Sequence, residues 1–138
     1  MTESLKLIQF PVFKEDNGEL SVFEKNIDGI PFHIERVFNV LANKGSIRGQ
    51  HAHRLCSQLL ICSNGSIEVT CDDSLDKKVF LLDRPNYGLL VPPAIWAVQN
   101  YLENNSSMTV ICDRSYEAED YISNYNLFKE FVSQLNIK

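Results

Sequence analysis

Gly45-Ser-Ile-Arg48-Gly-Gln-His51-Ala-His53-Arg-Leu-Cys56-Ser-Gln58, with Gly65 seven positions further on, is the stretch on which the reading of this chain turns. The protein has three histidines, and two of them stand here, one residue apart. In an extended backbone, residues i and i+2 point to the same face. His51 and His53 would then converge on one spot. The plain reading of an isolated H-x-H is a pair of solvent-facing side chains, so the surroundings have to decide.

Outward from this stretch the chain reads as many short strands separated by turn residues, then one helix. Expected strands are Leu5–Phe13, Leu20–Glu24, Phe32–Ala42, Ser57–Cys62, Ser66–Cys71, Lys78–Leu82, Tyr87–Val91, Ala97–Leu102 and Met108–Cys112. Asp16-Asn-Gly, Asp28-Gly-Ile-Pro, Ser63-Asn-Gly, Asp72-Asp-Ser, Arg84-Pro-Asn, Pro92-Pro and Asn104-Asn-Ser-Ser punctuate them, residues that supply turn geometry. Ile67, Val69 and Cys71 alternate with polar neighbours, and Met108, Val110 and Cys112 share one face. Short strands at this spacing favour a sandwich or barrel. Tyr121, Tyr125, Phe128, Phe131, Val132 and Leu135 instead recur at steps of three and four, the helical period. They predict a helix at about 126–136, capped by Asn126, that covers the outside of the β-structure.

The composition fits one domain over residues 1–138. With 138 residues, 44% of them hydrophobic, the chain can fill a core. A net charge of −5 argues against a nucleic-acid partner, which calls for a basic face. No apolar run is long enough for a membrane span, and the start carries no secretory leader. Cys56, Cys62, Cys71 and Cys112 form no C-x-x-C pair and read as buried thiols of a reducing, cytoplasmic protein.

The spacing Gly45-x5-His51-x-His53-x4-Gln58-x6-Gly65 resembles the first cupin motif, G-x5-H-x-H-x4-E-x6-G. Pro85-Asn-Tyr-Gly88-Leu-Leu-Val91-Pro-Pro stands where the second motif belongs. The resemblance implies a small jelly-roll β-barrel with its site inside. In metal-binding cupins the two histidines, the glutamate and a later histidine hold the ion. Here those last two positions are Gln58 and Val91. Two imidazoles and a neutral amide make a poor first-row metal site, so neither a metal nor another cofactor is expected. The histidines are then free for acid–base work near neutral pH.

Read with its flanks, the chain is similar to the dTDP-4-keto-6-deoxyglucose 3,4-ketoisomerases, the WxcM-like sugar-nucleotide cupins. The residues that carry this are Pro31-Phe-His-Ile-Glu-Arg36-Val-Phe38, Arg48-Gly-Gln-His51-Ala-His53, Gln58, Gly88-Leu-Leu-Val-Pro-Pro-Ala-Ile-Trp96 and Tyr116-Glu-Ala-Glu-Asp-Tyr121. The resemblance implies an isomerase free of metal, a homodimer in the cytoplasm, acting on a dTDP-linked keto-deoxysugar that feeds deoxyamino sugars of bacterial surface glycans such as the O-antigen. Moving the ketone from carbon 4 to carbon 3 passes through an enediolate, for which a base and oxyanion donors suffice. By carry-over His51 is the principal base, and His53 the second acid/base or an orienting group.

Arg36 and Arg48 are the candidate substrate clamps, since a guanidinium matches phosphate oxygens. Arg36 alternates with Ile34 and Phe38, expensive company for an unpaired charge; a snorkelling strand-end arginine is the competing reading. Gln58 is expected to bond a histidine, the sugar or the backbone. Trp96 reads as core, Tyr116, Tyr121 and Tyr125 as packing for the helix with hydroxyls at the rim, His33 as structural, and Glu117–Asp120 as a solvated turn. Phe38, the Asp16–Gly18 turn and Ala97–Asn100 lack a tyrosine, an arginine and a histidine often found there in the family, which leaves the configuration at carbon 4 open. A non-catalytic nucleotide-sugar-binding cupin and a metal-dependent cupin enzyme are the alternatives.

Overall fold

The computed structural model describes residues 4–137. Twelve strands run in chain order: β1 (Lys6–Gln9), β2 (Val12–Glu15), β3 (Gly18–Ser21), β4 (Arg36–Ala42), β5 (Ile47–His53), β6 (Gln58–Asn64), β7 (Ile67–Asp72), β8 (Lys77–Leu82), β9 (Tyr87–Val91), β10 (Trp96–Tyr101), β11 (Ser106–Cys112) and β12 (Tyr121–Ile122). A 3₁₀ turn, Ala118–Asp120, precedes β12, and one helix, α1 (Tyr125–Leu135), follows it. Ten strands form two five-stranded sheets, ordered β1-β9-β6-β11-β4 and β12-β5-β10-β7-β8, while β2 and β3 make a separate hairpin. All named pairings are antiparallel. The chain crosses from sheet to sheet between most successive strands, so the two layers cannot separate. This is the all-β jelly roll with a C-terminal helix expected from the sequence.

Period-2 alternation sorts each strand between layers. Leu60, Cys62, Leu89, Val110 and Met108 of the first sheet meet Val69, Cys71, Leu82, Ile67 and Tyr101 of the second in the central core. Leu59, Ile61, Leu90 and Ile111 point the other way and are covered by Phe10, Ile30 and Phe32. On the outer face of the second sheet, Ala52 and Ile122 are covered by Phe128 and Val132 of α1. Among the described residues no helix is long and apolar enough to cross a membrane, and all four cysteines are free and buried.

Several elements differ from the expectation: β5 and β12 fall outside the expected strands, β3 is Gly18–Ser21 rather than Leu20–Glu24, and β11 starts at Ser106 rather than Met108. Leu5–Phe13 is not one strand: it breaks at Phe10-Pro11, where proline has no N–H to offer a ladder, and Phe10 turns in to be buried. Leu7 in β1 stays 42% exposed. Phe32–Glu35 lies ahead of β4 as loop, with Phe32 buried on the outer face. The helix starts one residue early, at Tyr125, and its cap stands two residues early: Asn124, with an extended backbone, accepts from the Leu127 amide at 3.0 Å, and Asn126 lies inside the first turn.

Candidate active site

The histidine stretch is extended, as β5. The pairing of β5 with β10 shifts register by one residue: Ala97 faces His51, but Val98 faces Gly49 and Gln99 faces Arg48. One residue of β5 is therefore extra, and Gly49 and Gln50 both sit at positive φ, 83° and 59°. A bulge of this kind favours glycine at its first position. Here a Cβ on Gly49 would also stand 2.8 Å from the Ala97 carbonyl oxygen. Directly paired residues share a face, so the bulge carries Arg48 round to the inner side, in the row of Gln99 and Val69. Without it Arg48 would alternate to the face opposite His51. The R-G-x-H-A-H spacing thus has a geometric cause.

His51 and His53 point inward from β5, their ring centroids 5.1 Å apart and nearly perpendicular, while Ala52 between them faces α1. β12 pairs Tyr121 with His53 and Ile122 with Ala52. The same alternation therefore sends Tyr121 into the site and Ile122 under the helix. The Tyr121 ring lies 4.4 Å from that of His53 and 5.0 Å from that of His51. From the facing sheet, Arg36, Cys112, Gln58 and Val91 form one continuous cross-strand row. Arg36 Nη1 donates to the Tyr121 hydroxyl at 3.4 Å, and its guanidinium lies 5.4 Å from the Phe38 ring centroid and 5.7 Å from that of Tyr116.

Each imidazole has its tautomer set by an acceptor. His51 Nδ1 lies 3.1 Å from the Gly49 carbonyl oxygen, which can only accept, so Nδ1 carries the proton. His53 Nδ1 lies 2.7 Å from Asp120 Oδ2, whose second oxygen accepts from the Leu55 amide at 2.6 Å. Both rings thus keep Nε2 as the lone-pair nitrogen. Burial pushes the His51 pKa down, and the neighbouring His53 adds to this. Burial also pulls His53 down, more than the bond to Asp120 raises it. Burial alone would raise the Asp120 carboxyl, but the bonds from His53 and the Leu55 amide reverse the sign and hold it below the usual range. The resting state at neutral pH is an ionised Asp120 beside two neutral imidazoles.

Among the described residues, two buried side-chain nitrogens have no hydrogen-bond partner, Nε of Arg36 and Nε2 of His53. Each such group costs about 1–3 kcal/mol, and both lie in this one cluster. A polar ligand between the sheets would satisfy them. The four positions where metal-binding cupins carry ligands hold His51, His53, Gln58 and Val91, the last two being cross-strand partners. Gln58 turns its amide N–H to Cys112 Sγ at 3.5 Å. An aliphatic side chain and a committed amide do not complete a cupin metal site. Cys56 Sγ donates to the Ser57 carbonyl at 3.4 Å; the neighbouring Cys112 and burial push the Cys56 thiol up, while Cys56, Gln58 and Arg36 hold Cys112 down to about 7.

Of the five residues chosen from sequence, His51, His53 and Arg36 come together, Gln58 lies in the row behind Arg36, and Arg48 is exposed further along β5. Two participants were missed. Asp120 is not part of a solvated turn but 6% exposed, and Tyr121 does not pack the helix. Trp96 does, against Tyr125 and Phe128 on the outer face. His33 is exposed, 3.3 Å from Glu35 and away from the cluster.

The FdtA family profile, described as WxcM-like, C-terminal, matches residues 3–133. The chain belongs to the FdtA family. It is 36% identical over 134 residues to a TDP-4-oxo-6-deoxy-alpha-D-glucose-3,4-oxoisomerase of Aneurinibacillus thermoaerophilus, covering 96% of both chains. The H51N variant of the 3,4-ketoisomerase QdtA from Thermoanaerobacterium thermosaccharolyticum, solved in complex with TDP-4-keto-6-deoxyglucose, superposes with a TM-score of 0.91 at 29% identity over the whole of both chains. A 3,4-ketoisomerase from Helicobacter canadensis superposes with a TM-score of 0.88 at 30% identity, covering 94% of this chain and 97% of that one. Among FdtA-family relatives, then, the likeness spans the entire jelly roll and its helix.

Proposed function

We infer that this protein is a sugar-nucleotide 3,4-ketoisomerase that converts dTDP-4-keto-6-deoxyglucose to a dTDP-3-keto-6-deoxyhexose. The observation that carries the reading is the pair of imidazoles with Nε2 free, set against an arginine whose buried Nε awaits a partner. Relatives of this family bearing that activity, and the bound 4-keto sugar nucleotide in one of them, support the substrate class.

The isomerisation moves two protons. One leaves carbon 3 and one arrives at carbon 4; meanwhile the hydroxyl on carbon 3 gives up its proton and the oxygen on carbon 4 gains one. Two relays suit two histidines. His51 is half-buried and its Nε2 is the carbon base, taking the hydrogen that the adjacent carbonyl acidifies and returning a proton to carbon 4. His53 is buried behind it, and the ionised Asp120 stabilises its protonated form, so it serves the oxygens. Arg36, bonded to the Tyr121 hydroxyl, places a positive charge and a phenol donor where the enediolate oxygens develop. Arg48, on the inner face but exposed, is left for the diphosphate. Gln58 holds the sulfur row behind Arg36, and no cofactor is required because the oxidation level shifts only within the sugar.

The protein acts as a homodimer. β1 and β4 are the edges of the first sheet, and Val37 and Leu41 leave apolar side chains exposed along the outer side of β4, an edge that calls for cover. It works in the cytoplasm, where four reduced, buried thiols persist. Incubation with dTDP-4-keto-6-deoxyglucose in deuterated water tests the activity. NMR of the ring should show a 3-keto product with deuterium at carbon 4 in the fraction whose proton exchanged. Binding of the nucleotide sugar with no movement of the ketone would overturn the reading in favour of a binding module.

A further inference from the structure

Behind the two histidines lies a second constellation, which shares His53 and Asp120 with the proton relay and adds Cys56, a residue that isomerisation does not use. His53 ends β5, Cys56 stands in the loop after it, and Asp120 closes the 3₁₀ turn. A ring nitrogen, Sγ and a carboxylate oxygen from these three lie within 4.8 Å of one another, and all three residues are buried. Cys112 packs in the same core cluster as Cys56, so a second sulfur stands nearby. We propose that His53, Cys56 and Asp120 form a latent binding site for a thiophilic divalent cation such as zinc, and that its occupancy switches the enzyme off.

The geometry requires little movement. With zinc bonds of about 2.0–2.3 Å, tetrahedral ligand atoms stand about 3.3–3.8 Å apart. The widest separation in the cluster, 4.8 Å, closes by about 1 Å, and the His53–Asp120 contact of 2.7 Å opens by about 0.6 Å. An ion that bonds both the carboxylate and the imidazole has to sit on the Nδ1 side of the ring. It therefore takes the Nδ1 lone pair, the ring proton moving to Nε2, and it displaces the Cys56 thiol proton; one proton leaves to solvent for each ion bound, the imidazole staying neutral and Asp120 being already ionised. Nitrogen, sulfur and one carboxylate suit zinc or cadmium, whereas magnesium and calcium demand oxygen ligands. The site differs from the cupin metal set, because a loop cysteine and a 3₁₀-turn aspartate, rather than His51, Gln58 and Val91, stand beside His53. Once the ion holds Nδ1, His53 can no longer shuttle protons with Asp120 behind it. This last step rests on the isomerase reading; the binding does not.

Metal-stripped protein should bind one equivalent of cadmium with an ultraviolet thiolate-to-metal charge-transfer band. Zinc should compete for the same equivalent, magnesium should not, and turnover lost with zinc should return on chelation. Cys56→Ala should keep its metal-free turnover and lose at least ~10-fold in zinc affinity, the scale of removing a metal's supporting contacts. In the unaltered protein, which avoids any question of folding, zinc should slow alkylation of Cys56 at least tenfold and leave Cys71 unchanged. Absence of the cadmium band, unchanged zinc affinity in Cys56→Ala, or equal alkylation of Cys56 with and without zinc would each overturn the proposal. Normal zinc binding by a protein that never turns over the keto sugar would instead refute the isomerase reading and leave the site standing.

Discussion

Replacing Asp120 by asparagine is the sharpest test of the proton relay. The aspartate accepts two short bonds, from His53 Nδ1 at 2.7 Å and from the Leu55 amide at 2.6 Å, at a site 6% exposed. Asparagine has one oxygen and cannot accept both. If the oxygen stays with Leu55, the amide N–H₂ faces His53 and forces its proton to Nε2, removing the lone pair that faces the site. A wrong tautomer in a comparable aspartate-to-asparagine change in serine proteases costs ~10⁴ in kcat, and general acid–base contributions run ~10²–10⁴; we expect a loss in that range. One charge-assisted bond lost in the interior removes about 2–3 kcal/mol of stability, or roughly 6–15 °C in Tm for a domain of this size. The assay pairs a thermal melt with turnover of dTDP-4-keto-6-deoxyglucose, measured well below the variant's Tm. A folded Asp120→Asn with wild-type kcat would refute the assignment of His53 to the relay. A kcat that falls only where the protein melts would reduce Asp120 to a structural role.

His51→Asn should lower turnover at least ~10²-fold with little change in nucleotide-sugar affinity, checked by kinetics and calorimetry; wild-type turnover would remove His51 from the mechanism. Because burial depresses both histidines below the ordinary 6.5, kcat/KM should fall on the acid side with its midpoint under pH 6.5. Folding stability should decline over the same window, since below 6.5 the unfolded chain takes up protons that the folded one resists; an acid limb above 7 would contradict the geometry. Gly49→Ala should cost about 2–4 kcal/mol, the strain of a left-handed alanine plus the 2.8 Å approach to the Ala97 carbonyl, and raise KM as Arg48 shifts; a neutral melt would count against the bulge. Turnover should survive exhaustive chelation, and a stoichiometric metal whose removal abolishes it would count against catalysis by histidine alone.

The sequence made the inner face of β5 legible and the segment after β11 only half so. H-x-H in an extended run needs nothing beyond the two-residue period, and so His51 and His53 stood out. Arg48 could be linked to them only through a family motif, because simple alternation assigns it to the other face and nothing local announces a bulge except Gly49. Asp120 was hidden among Glu117, Ala118 and Glu119, a run whose charge reads as solvent-facing. Its burial depends on a histidine 67 positions earlier, which no local pattern reports. Tyr121 was drawn into the helix because its spacing to Tyr125 and Phe128 fits a helical period. The Asn124 cap shows that the helix begins after it, and the residue-by-residue alternation with Ile122 belongs to a strand two residues long. Pro11 was visible, yet the apolar residues on either side of it outweighed the missing N–H.

The bond between His53 and Asp120 also makes the cluster depend on one late segment of the chain. The rest of the inner cluster that faces β5 or β4 comes from residues up to 112, but the partner that fixes the His53 tautomer, the phenol that bridges to Arg36, and the helix that holds both down come from residues 116–135. The two sheets can therefore pair while residues 116–135 are undocked, with one imidazole unanchored and its arginine unbridged. Docking of that one segment sets the tautomer and the bridge together, so a local opening of residues 116–135 would silence the cluster without unpairing either sheet.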